Sequence, residues 1–307
     1  YGLTKFSCKQ FSIEQDRCAM KIGTDGVLLG AWTPIENNPF SVLDIGTGTG
    51  IIALMLAQRT HAEQIDALEI DEEAYEQSVD NFENSPWSDR LFCFHAGLDE
   101  FVEEPEDEYD LIVSNPPFYT EDYKSANEQR DLARFADAMP FKDLIEAAHL
   151  LLSENGIFSV IIPFKEEEKF IALAEECELH PLKITRVKGT PNTEIKRSLL
   201  AFSRTELSNF PIDELIIETA RHIYTAKYIE LTKDFYLKMS ISILFQILGF
   251  LLIDFSRHLI LCLNLYTSNL LKENQIKKLQ LSIPVKPIRN SHLDKHLCEK
   301  YILYIMV

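Results

Sequence analysis

A short apolar strand, a glycine-rich turn and a helix follow one another near residue 45, and this order restricts the fold more than any other feature of the sequence. Ser41–Ile45 is predicted to be a buried strand and residues 51–58 an amphipathic helix. Between them lies Gly46-Thr47-Gly48-Thr49-Gly50. Such a turn brings backbone N–H groups and a helix N-terminus close to a polar ligand. We therefore expect a ligand site at the carboxyl end of this strand.

The spacing of the glycines excludes two common nucleotide-binding motifs. Ile51 stands directly after Gly50, so the third glycine of the dinucleotide fingerprint is missing, and no Gly-Lys-Ser/Thr follows for a phosphate loop. Asp44, directly before the turn, adds a carboxylate that faces the same ligand. This combination favours a zwitterionic, amine-bearing ligand over a pyrophosphate.

The next strand is predicted over Ile65 to Ile70 and brings an acidic side chain to the same edge of the sheet. Glu69, at its end, can bridge the two hydroxyls of a ribose, as acidic residues do in doubly wound folds. Asp71 is expected to cap the helix that follows. A third strand is predicted over Leu91–His95.

A second polar site is predicted where the apolar run after Asp110 is stopped by two prolines. The run reads as a buried strand, which leaves Asn115 at its carboxyl end. The Asn115 carboxamide and the Pro116 carbonyl can each accept a hydrogen bond, and Phe118 offers a flat face. Two acceptors and a ring suit a planar group with an exocyclic NH2. The alternative interpretation is a turn that ends a strand.

Asn115-Pro116-Pro117-Phe118 resembles the motif of S-adenosylmethionine-dependent amino-methyltransferases, which act on adenine N6, cytosine N4 or glutamine N5. The remaining pattern agrees with such a fold. Strands and helices alternate as far as residue 177, and Lys183 to Val187 is expected to pair with Ile195–Ser203 as a closing hairpin. We expect an α/β protein with the Rossmann-like, seven-stranded sheet of class I methyltransferases and helices on both faces.

Composition indicates a soluble globular protein, with 46% hydrophobic and 25% charged residues. The six cysteines lack metal-ligand spacing, so we expect reduced thiols and no metal. The first residues do not form a secretory signal, which favours a cytoplasmic location. A net charge of -18 argues against non-specific binding to nucleic acid, but the basic strip Lys188, Lys196 and Arg197 can engage phosphates.

The last segment, residues 240–307, differs in kind from the rest of the chain. It carries more basic than acidic residues, and its apolar run at 241–253 is too short to span a bilayer, which needs about 20 residues. We expect a methyltransferase domain over residues 1–239, with residues 1–40 as an N-terminal lid for cofactor and substrate. The tail is interpreted as a read-through or an assembly artefact, and no membrane association is expected.

Within the amino-methyltransferases, the chain resembles the tRNA1(Val) adenine N6-methyltransferase family, which modifies the adenine directly 3′ of the anticodon. Four stretches carry the resemblance: 15–32, 44–50, 69–71 and 115–118, with weaker similarity at 196–199 and in the closing stretch at 224–237. The resemblance implies S-adenosylmethionine as cofactor, an anticodon loop of tRNA as substrate and a monomeric enzyme. The methyl group would pass directly from the sulfonium to N6.

The motifs, the basic strip and the resemblance together assign three groups of residues. The catalytic group is Asn115, Pro116, Pro117 and Phe118. The cofactor-binding group is Lys21, Thr24, Asp25, Asp44, Gly46, Thr47, Gly48, Gly50, Glu69, Leu98 and Asp99. Gly97 occupies a position where many relatives carry an acid, so contact with the cofactor adenine could pass to the Leu98 backbone or to Asp99. The RNA-binding group is Arg130, Arg134, Lys188, Lys196 and Arg197.

Two alternatives remain open from the sequence. A glutamine N5-methyltransferase that acts on a protein shares the Asn-Pro-Pro-aromatic motif, but that family usually carries a separate N-terminal helical domain. A non-catalytic S-adenosylmethionine-binding module is the other, and the presence of both Asp44 and Asn115 argues against it. A methyl-transfer assay with bulk tRNA separates all three interpretations.

Overall fold

A large β-sheet lies at the centre of the fold. The computed structural model describes residues 4–103, 108–117 and 139–238. Its elements, in chain order, are β1 (Lys5–Ser7), β2 (Ser12–Glu14), α1 (Thr24–Trp32), β3 (Ser41–Ile45), α2 (Ile51–Arg59), β4 (Gln64–Glu69), α3 (Glu72–Glu83), β5 (Leu91–His95), α4 (Leu98–Glu103), β6 (Tyr109–Ser114), α5 (Phe141–Leu151), β7 (Leu152–Pro163), a 3-10 turn (Phe164–Glu166), α6 (Glu167–Glu176), β8 (His180–Lys188), β9 (Ile195–Ser203), β10 (Ile212–Ile216), β11 (Glu218–Ala220), β12 (Ile223–Tyr224) and α7 (Ala226–Thr232).

The sheet has eight strands in the order β10-β8-β9-β7-β6-β3-β4-β5. The five strands from β5 to β7 are parallel, and β9 runs antiparallel between β7 and β8. These seven strands confirm the predicted Rossmann-like methyltransferase sheet with its closing hairpin. An eighth strand, β10, pairs in parallel with β8 and extends the edge of the sheet.

Helices cover both faces of the sheet, as predicted. Side chains of β6 alternate between the two cores: Leu111 and Val113 join one hydrophobic cluster and Ile112 joins the other. The first cluster packs under α1, α2 and α7, and the second under α5 and α6. Within the described ranges, no helix is long and apolar enough to cross a bilayer.

Two local features differ from what the sequence pattern predicts. Thr24 and Asp25 are typical capping residues and predict a helix that starts after one of them, but α1 already begins at Thr24, and Gly23 takes the capping position without a side-chain hydrogen bond. Both residues therefore lie in the first turn. The apolar run after Asn155 predicts a strand from Gly156, but β7 begins at Leu152, because α5 runs directly into the strand. The predicted cap of α3 is confirmed, since Asp71 accepts a hydrogen bond from the Ala74 N–H at 2.8 Å.

Arg90 closes the end of the sheet opposite the carboxyl ends of the parallel strands. Its guanidinium donates to the Ala57 carbonyl at 2.6 Å and to the Thr60 carbonyl at 3.2 Å, and also reaches the Ala62 carbonyl. These groups include unpaired carbonyls at the C-terminus of α2, which need donors. Arg90 thereby ties α2 to the start of β5.

Replacing Arg90 by methionine should lower the free energy of unfolding by about 2 kcal/mol, because several carbonyls lose a charged donor. Urea titration followed by circular dichroism measures the change. Arg221→Met, at an exposed position, is the control and should change stability by less than about 0.5 kcal/mol. Equal urea midpoints for Arg90→Met and the wild type would contradict this role.

Candidate active site

The glycine turn leaves open space above the end of β3. Gly46, Gly48 and Gly50 all have positive φ angles, of 71°, 57° and 82°. A β-carbon at Gly46 or Gly48 would meet no atom within 4 Å, whereas one at Gly50 would lie 2.5 Å from the Phe82 ring. The turn therefore needs glycine for its backbone conformation, and at its first two glycines it borders a space that a ligand can occupy.

Most N–H groups of the turn already donate within the protein, which corrects the expectation that they face the ligand. The Gly46 and Thr47 N–H groups donate to the Leu68 carbonyl, and the Gly50 N–H donates to the Thr47 carbonyl. The Gly48 N–H donates to a Glu69 oxygen. The turn thus offers a ligand mainly space and neighbouring carboxylates.

Asp44 lies completely buried beneath the turn. Its Oδ2 accepts hydrogen bonds from the Thr47 hydroxyl at 2.6 Å and from the Ala53 N–H at 3.2 Å. Its Oδ1 has no hydrogen-bond partner among the described residues. Burial, with a smaller contribution from Glu69, raises the pKa of the Asp44 carboxyl to about 7, against the hydrogen bonds that lower it. A cation placed at Oδ1 would stabilise the ionised form.

Glu69 is nearly buried at the end of β4, beside the same turn. Its Oε2 accepts from the Gly48 N–H at 2.8 Å, and its Oε1 accepts from the N–H groups of Ile70 and Asp71 at 2.9 and 3.0 Å. The carboxylate therefore holds the turn against the start of α3. A carboxylate has about four acceptor sites, so it can still accept from a ligand hydroxyl.

The N-terminal segment lies beside the glycine turn, because the Asn81 amide on α3 donates to both the Glu14 and the Thr49 carbonyl at 2.9 Å. Burial raises the pKa of the Cys18 thiol to about 11, and the charge of Glu69 adds to the increase. The ammonium group of Lys21 donates hydrogen bonds to the carbonyls of Gln15 and Cys18, the latter at 3.1 Å. In this structure Lys21 stabilises the segment that borders the site.

The other two residues predicted in this segment lie at the start of α1. Thr24 is exposed, and Asp25 accepts a hydrogen bond from Nε of Arg197 at 2.8 Å. A predicted cofactor residue and a predicted RNA residue are thus joined as an ion pair.

Leu98 and Asp99 lie in the first turn of α4, just after the carboxyl end of β5. Leu98 packs against the second hydrophobic cluster, and Asp99 is exposed. The Asp99 carboxylate occupies the space beside Gly97, where a β-carbon would lie 2.6 Å from Oδ1. The absence of a side chain at Gly97 therefore leaves room for this carboxylate.

Pairing of β3 with β6 brings Asn115 next to the glycine turn. Ile45 and Ser114 are partners in the sheet, and the Ser114 hydroxyl donates to the Ile45 carbonyl at 2.9 Å. Gly46 and Asn115 are the residues that follow. Asn115 is partly exposed, Pro116 is buried and Pro117 is partly exposed. Phe118, Arg130 and Arg134 lie outside the described residues.

The predicted basic strip lies at the same edge of the sheet, where β8 ends and β9 begins. Lys188 forms an ion pair with Glu214 at 2.7 Å, and Arg197 is bound to Asp25. Lys196 is exposed. Two of the three basic side chains predicted to contact phosphates therefore already form ion pairs with carboxylates.

Polar side chains on the buried face of α3 were missed in the sequence. Gln77 and Asn81 are 1% and 3% exposed and bind the N-terminal segment. They are four residues apart, on the face of the helix that carries Ala74 and Phe82 to the core. The sequence signal that could have revealed them is the presence of two amide side chains on the face of α3 that packs into the core.

Within the described ranges, no group of three or more His, Cys, Asp or Glu residues could hold a metal ion.

Similarity to known proteins agrees with this geometry. The family model of the methyltransferase small domain matches residues 33–176. A tRNA1(Val) (adenine(37)-N6)-methyltransferase of Flavobacterium johnsoniae is 77% identical over 234 residues, which cover 76% of this chain and all of the relative. The same enzyme of Christiangramia forsetii is 64% identical over 76% of this chain and 98% of its own length.

Among solved structures, a predicted O-methyltransferase from Agrobacterium tumefaciens has a TM-score of 0.53 at 20% identity. It matches 69% of this chain and 96% of its own. This likeness concerns the fold alone. The family is established by the 77% and 64% sequence identity between this chain and relatives that match over 98 to 100% of their own length. The chain belongs to the tRNA1(Val) (adenine(37)-N6)-methyltransferase family.

Proposed function

We propose that this protein transfers the methyl group of S-adenosylmethionine to N6 of adenine 37 in the anticodon loop of tRNA1(Val). The observation that carries the proposal is the position of Asn115 beside the glycine turn, fixed by the pairing of Ser114 with Ile45. An acceptor for an amino group and a site for a methyl donor then lie at neighbouring strand ends. The names of the relatives supply the identity of the tRNA and of the base.

The residues at the glycine turn suit S-adenosylmethionine. When bound, this cofactor supplies a methyl group made electrophilic by its sulfonium. The unpartnered Oδ1 of Asp44 suits an ammonium group, and Gly46 and Gly48 leave room for the ligand. Glu69 can accept from ribose hydroxyls with the lone pairs that the backbone leaves free. Leu98 or Asp99 would border the adenine ring.

Asn115 would direct the amino group of the target base. Its carboxamide oxygen and the Pro116 carbonyl accept the two amino hydrogens, so the nitrogen lone pair points toward the methyl group. Prolines at 116 and 117 fix the backbone that holds these acceptors, and Phe118 would stack on the base. No strong general base is needed, because positioning an amine against an activated methyl group supplies most of the rate increase.

An anticodon loop suits this site because its bases are already partly unstacked. Bringing such a base into a pocket costs less than extracting it from a duplex, where the cost is a few kcal/mol. Arg130, Arg134, Lys188, Lys196 and Arg197 would contact phosphates around the loop. We assign the activity to residues 1–239, with residues 1–40 covering the cofactor, in a monomeric protein of the cytoplasm.

Incubation with bulk tRNA and labelled S-adenosylmethionine tests the proposed reaction. Digestion to nucleosides should recover the label as N6-methyladenosine, in one tRNA species, with adenine 37 as the modified position. Transfer of the label to a protein glutamine in place of tRNA would contradict the proposal. Cofactor binding without any transfer to tRNA would do so as well.

Asn115→Ala should reduce the methyl-transfer rate in single turnover by two or more orders of magnitude, as loss of an interaction made in the transition state does. Cofactor affinity should remain, because Asp44 and Glu69 are intact. Asn115→Asp keeps one acceptor and should retain part of the activity. If Asn115 only ends the strand, activity would instead fall in parallel with the melting temperature. An unchanged transfer rate in a folded Asn115→Ala variant would exclude the residue from the reaction.

Lys196→Gln should weaken tRNA binding and reduce the slope of log Kd against log salt by about one phosphate contact. Lys233→Gln is the matched control, because Lys233 lies far from the glycine turn. It directly follows α7, and the neighbouring Asp234 carbonyl accepts from Gln58 near the C-terminus of α2, whereas the glycine turn lies at the N-terminus of that helix. Cofactor affinity should be the same in both variants. Identical salt slopes for the wild type and Lys196→Gln would remove Lys196 from the RNA interface.

A further inference from the structure

A single buried amide on α3 joins two parts of the chain that are far apart in sequence. Asn81 is 3% exposed. Its Nδ2 donates to the Thr49 carbonyl in the glycine turn and to the Glu14 carbonyl, both at 2.9 Å. Its Oδ1 accepts from the Glu14 N–H, also at 2.9 Å. One side chain therefore holds β2 and the glycine turn at a fixed separation.

A second amide, one helical turn earlier, continues this attachment. Gln77 is 1% exposed, and its Oε1 accepts from the Arg17 N–H at 2.9 Å. At the protein surface the Arg17 guanidinium binds the carboxylates of Glu76 and Asp80 on the same helix. The N-terminal segment is thus attached to α3 at residues 14 and 17 through polar groups.

The segment between these attachments and α1 is closed on itself. Gln15 accepts from the Ile22 N–H at 2.9 Å through its side chain, and Lys21 donates to the carbonyls of Gln15 and Cys18. Residues 14–22 therefore form one compact loop, which we call the α3-bound loop. Because the Asn81 amide binds both Glu14 and the Thr49 carbonyl, this loop begins next to the glycine turn, where the cofactor site is proposed.

These contacts make the position of the α3-bound loop depend on Asn81. The three backbone groups that it binds would lose their partner in an apolar variant, and buried unpaired groups are costly. Separation of Glu14 from Thr49 would then widen the space between the α3-bound loop and the glycine turn. Asn81 itself need not touch the ligand for this effect.

We propose that Asn81 is a positioning residue for S-adenosylmethionine, which holds the α3-bound loop and the glycine turn together as the two sides of the cofactor site. This inference rests on the proposed function, since it takes the cofactor from there. Gln77 supports the same arrangement from the next turn of α3. The reacting groups at Asn115 are not part of it.

Calorimetric titration of S-adenosylmethionine into Asn81→Ala tests the inference without tRNA. The dissociation constant should rise by about tenfold or more, a loss of about 1.4 kcal/mol. Asn84→Ala is the matched control at the C-cap of the same helix, because among the described residues its exposed side-chain amide donates to the Asp80 carbonyl alone. It should bind the cofactor as the wild type does.

Two further measurements separate positioning from a general loss of stability. In Asn81→Ala, the Glu14 and Arg17 amides should exchange with deuterium faster than in the wild type, and the cofactor should slow this exchange. In turnover, KM for the cofactor should rise while kcat and KM for tRNA stay within about threefold of the wild type. A purely structural residue would lower the melting temperature and leave this split absent.

An unchanged dissociation constant in folded Asn81→Ala would overturn the inference. If that variant does not fold, Gln77→Ala takes its place, and unchanged cofactor affinity there would overturn it equally. Failure of the proposed function gives a different result, because wild-type protein would then not bind S-adenosylmethionine or would not methylate tRNA. Wild-type binding with equal binding by Asn81→Ala would reject the positioning role alone.

Discussion

The buried carboxylate of Asp44 is the constraint on which the site depends. One oxygen is satisfied by Thr47 and Ala53, and the other has no partner among the described residues. The pKa of the Asp44 carboxyl is raised to about 7 in the folded protein, against about 4 in the unfolded chain. Protonation of Asp44 therefore stabilises the folded state fully below about pH 4, and this stabilisation is lost as the pH rises through about 7. At neutral pH the ligand-free fold therefore holds a partly ionised, poorly compensated group. An ammonium group from the cofactor would relieve this cost.

The surrounding elements keep this group at the junction of several segments. Pairing of β3 with β6 places Asn115 beside the glycine turn, and Glu69 on β4 holds the turn through Gly48. Asn81 on α3 adds the N-terminal segment. Methyl donor and acceptor can then meet at adjacent strand ends of a rigid parallel sheet, which is where open α/β sheets place their ligands. Positioning of this kind is what a transfer to a neutral amine requires.

The sequence predicted the features that depend on neighbouring residues. Strand, glycine turn and helix at residues 41–59, the cap at Asp71 and the hairpin after residue 180 follow from local patterns and are confirmed. The contact of Arg197 with Asp25 was not predictable, because the two residues come from segments that only the fold brings together. The same holds for the N–H groups of the glycine turn, which the Leu68 carbonyl and Glu69 occupy.

Proton release on cofactor binding tests the role of Asp44 most directly. Calorimetry of S-adenosylmethionine binding at pH 6.5, in two buffers of different ionisation enthalpy, measures the number of protons exchanged. The account predicts that binding at this pH releases a substantial fraction of a proton from Asp44, because a bound cation lowers the raised pKa of its carboxyl. Asp44→Asn should lose this release together with most of the affinity. Equal proton exchange in the wild type and a folded Asp44→Asn variant would contradict the account.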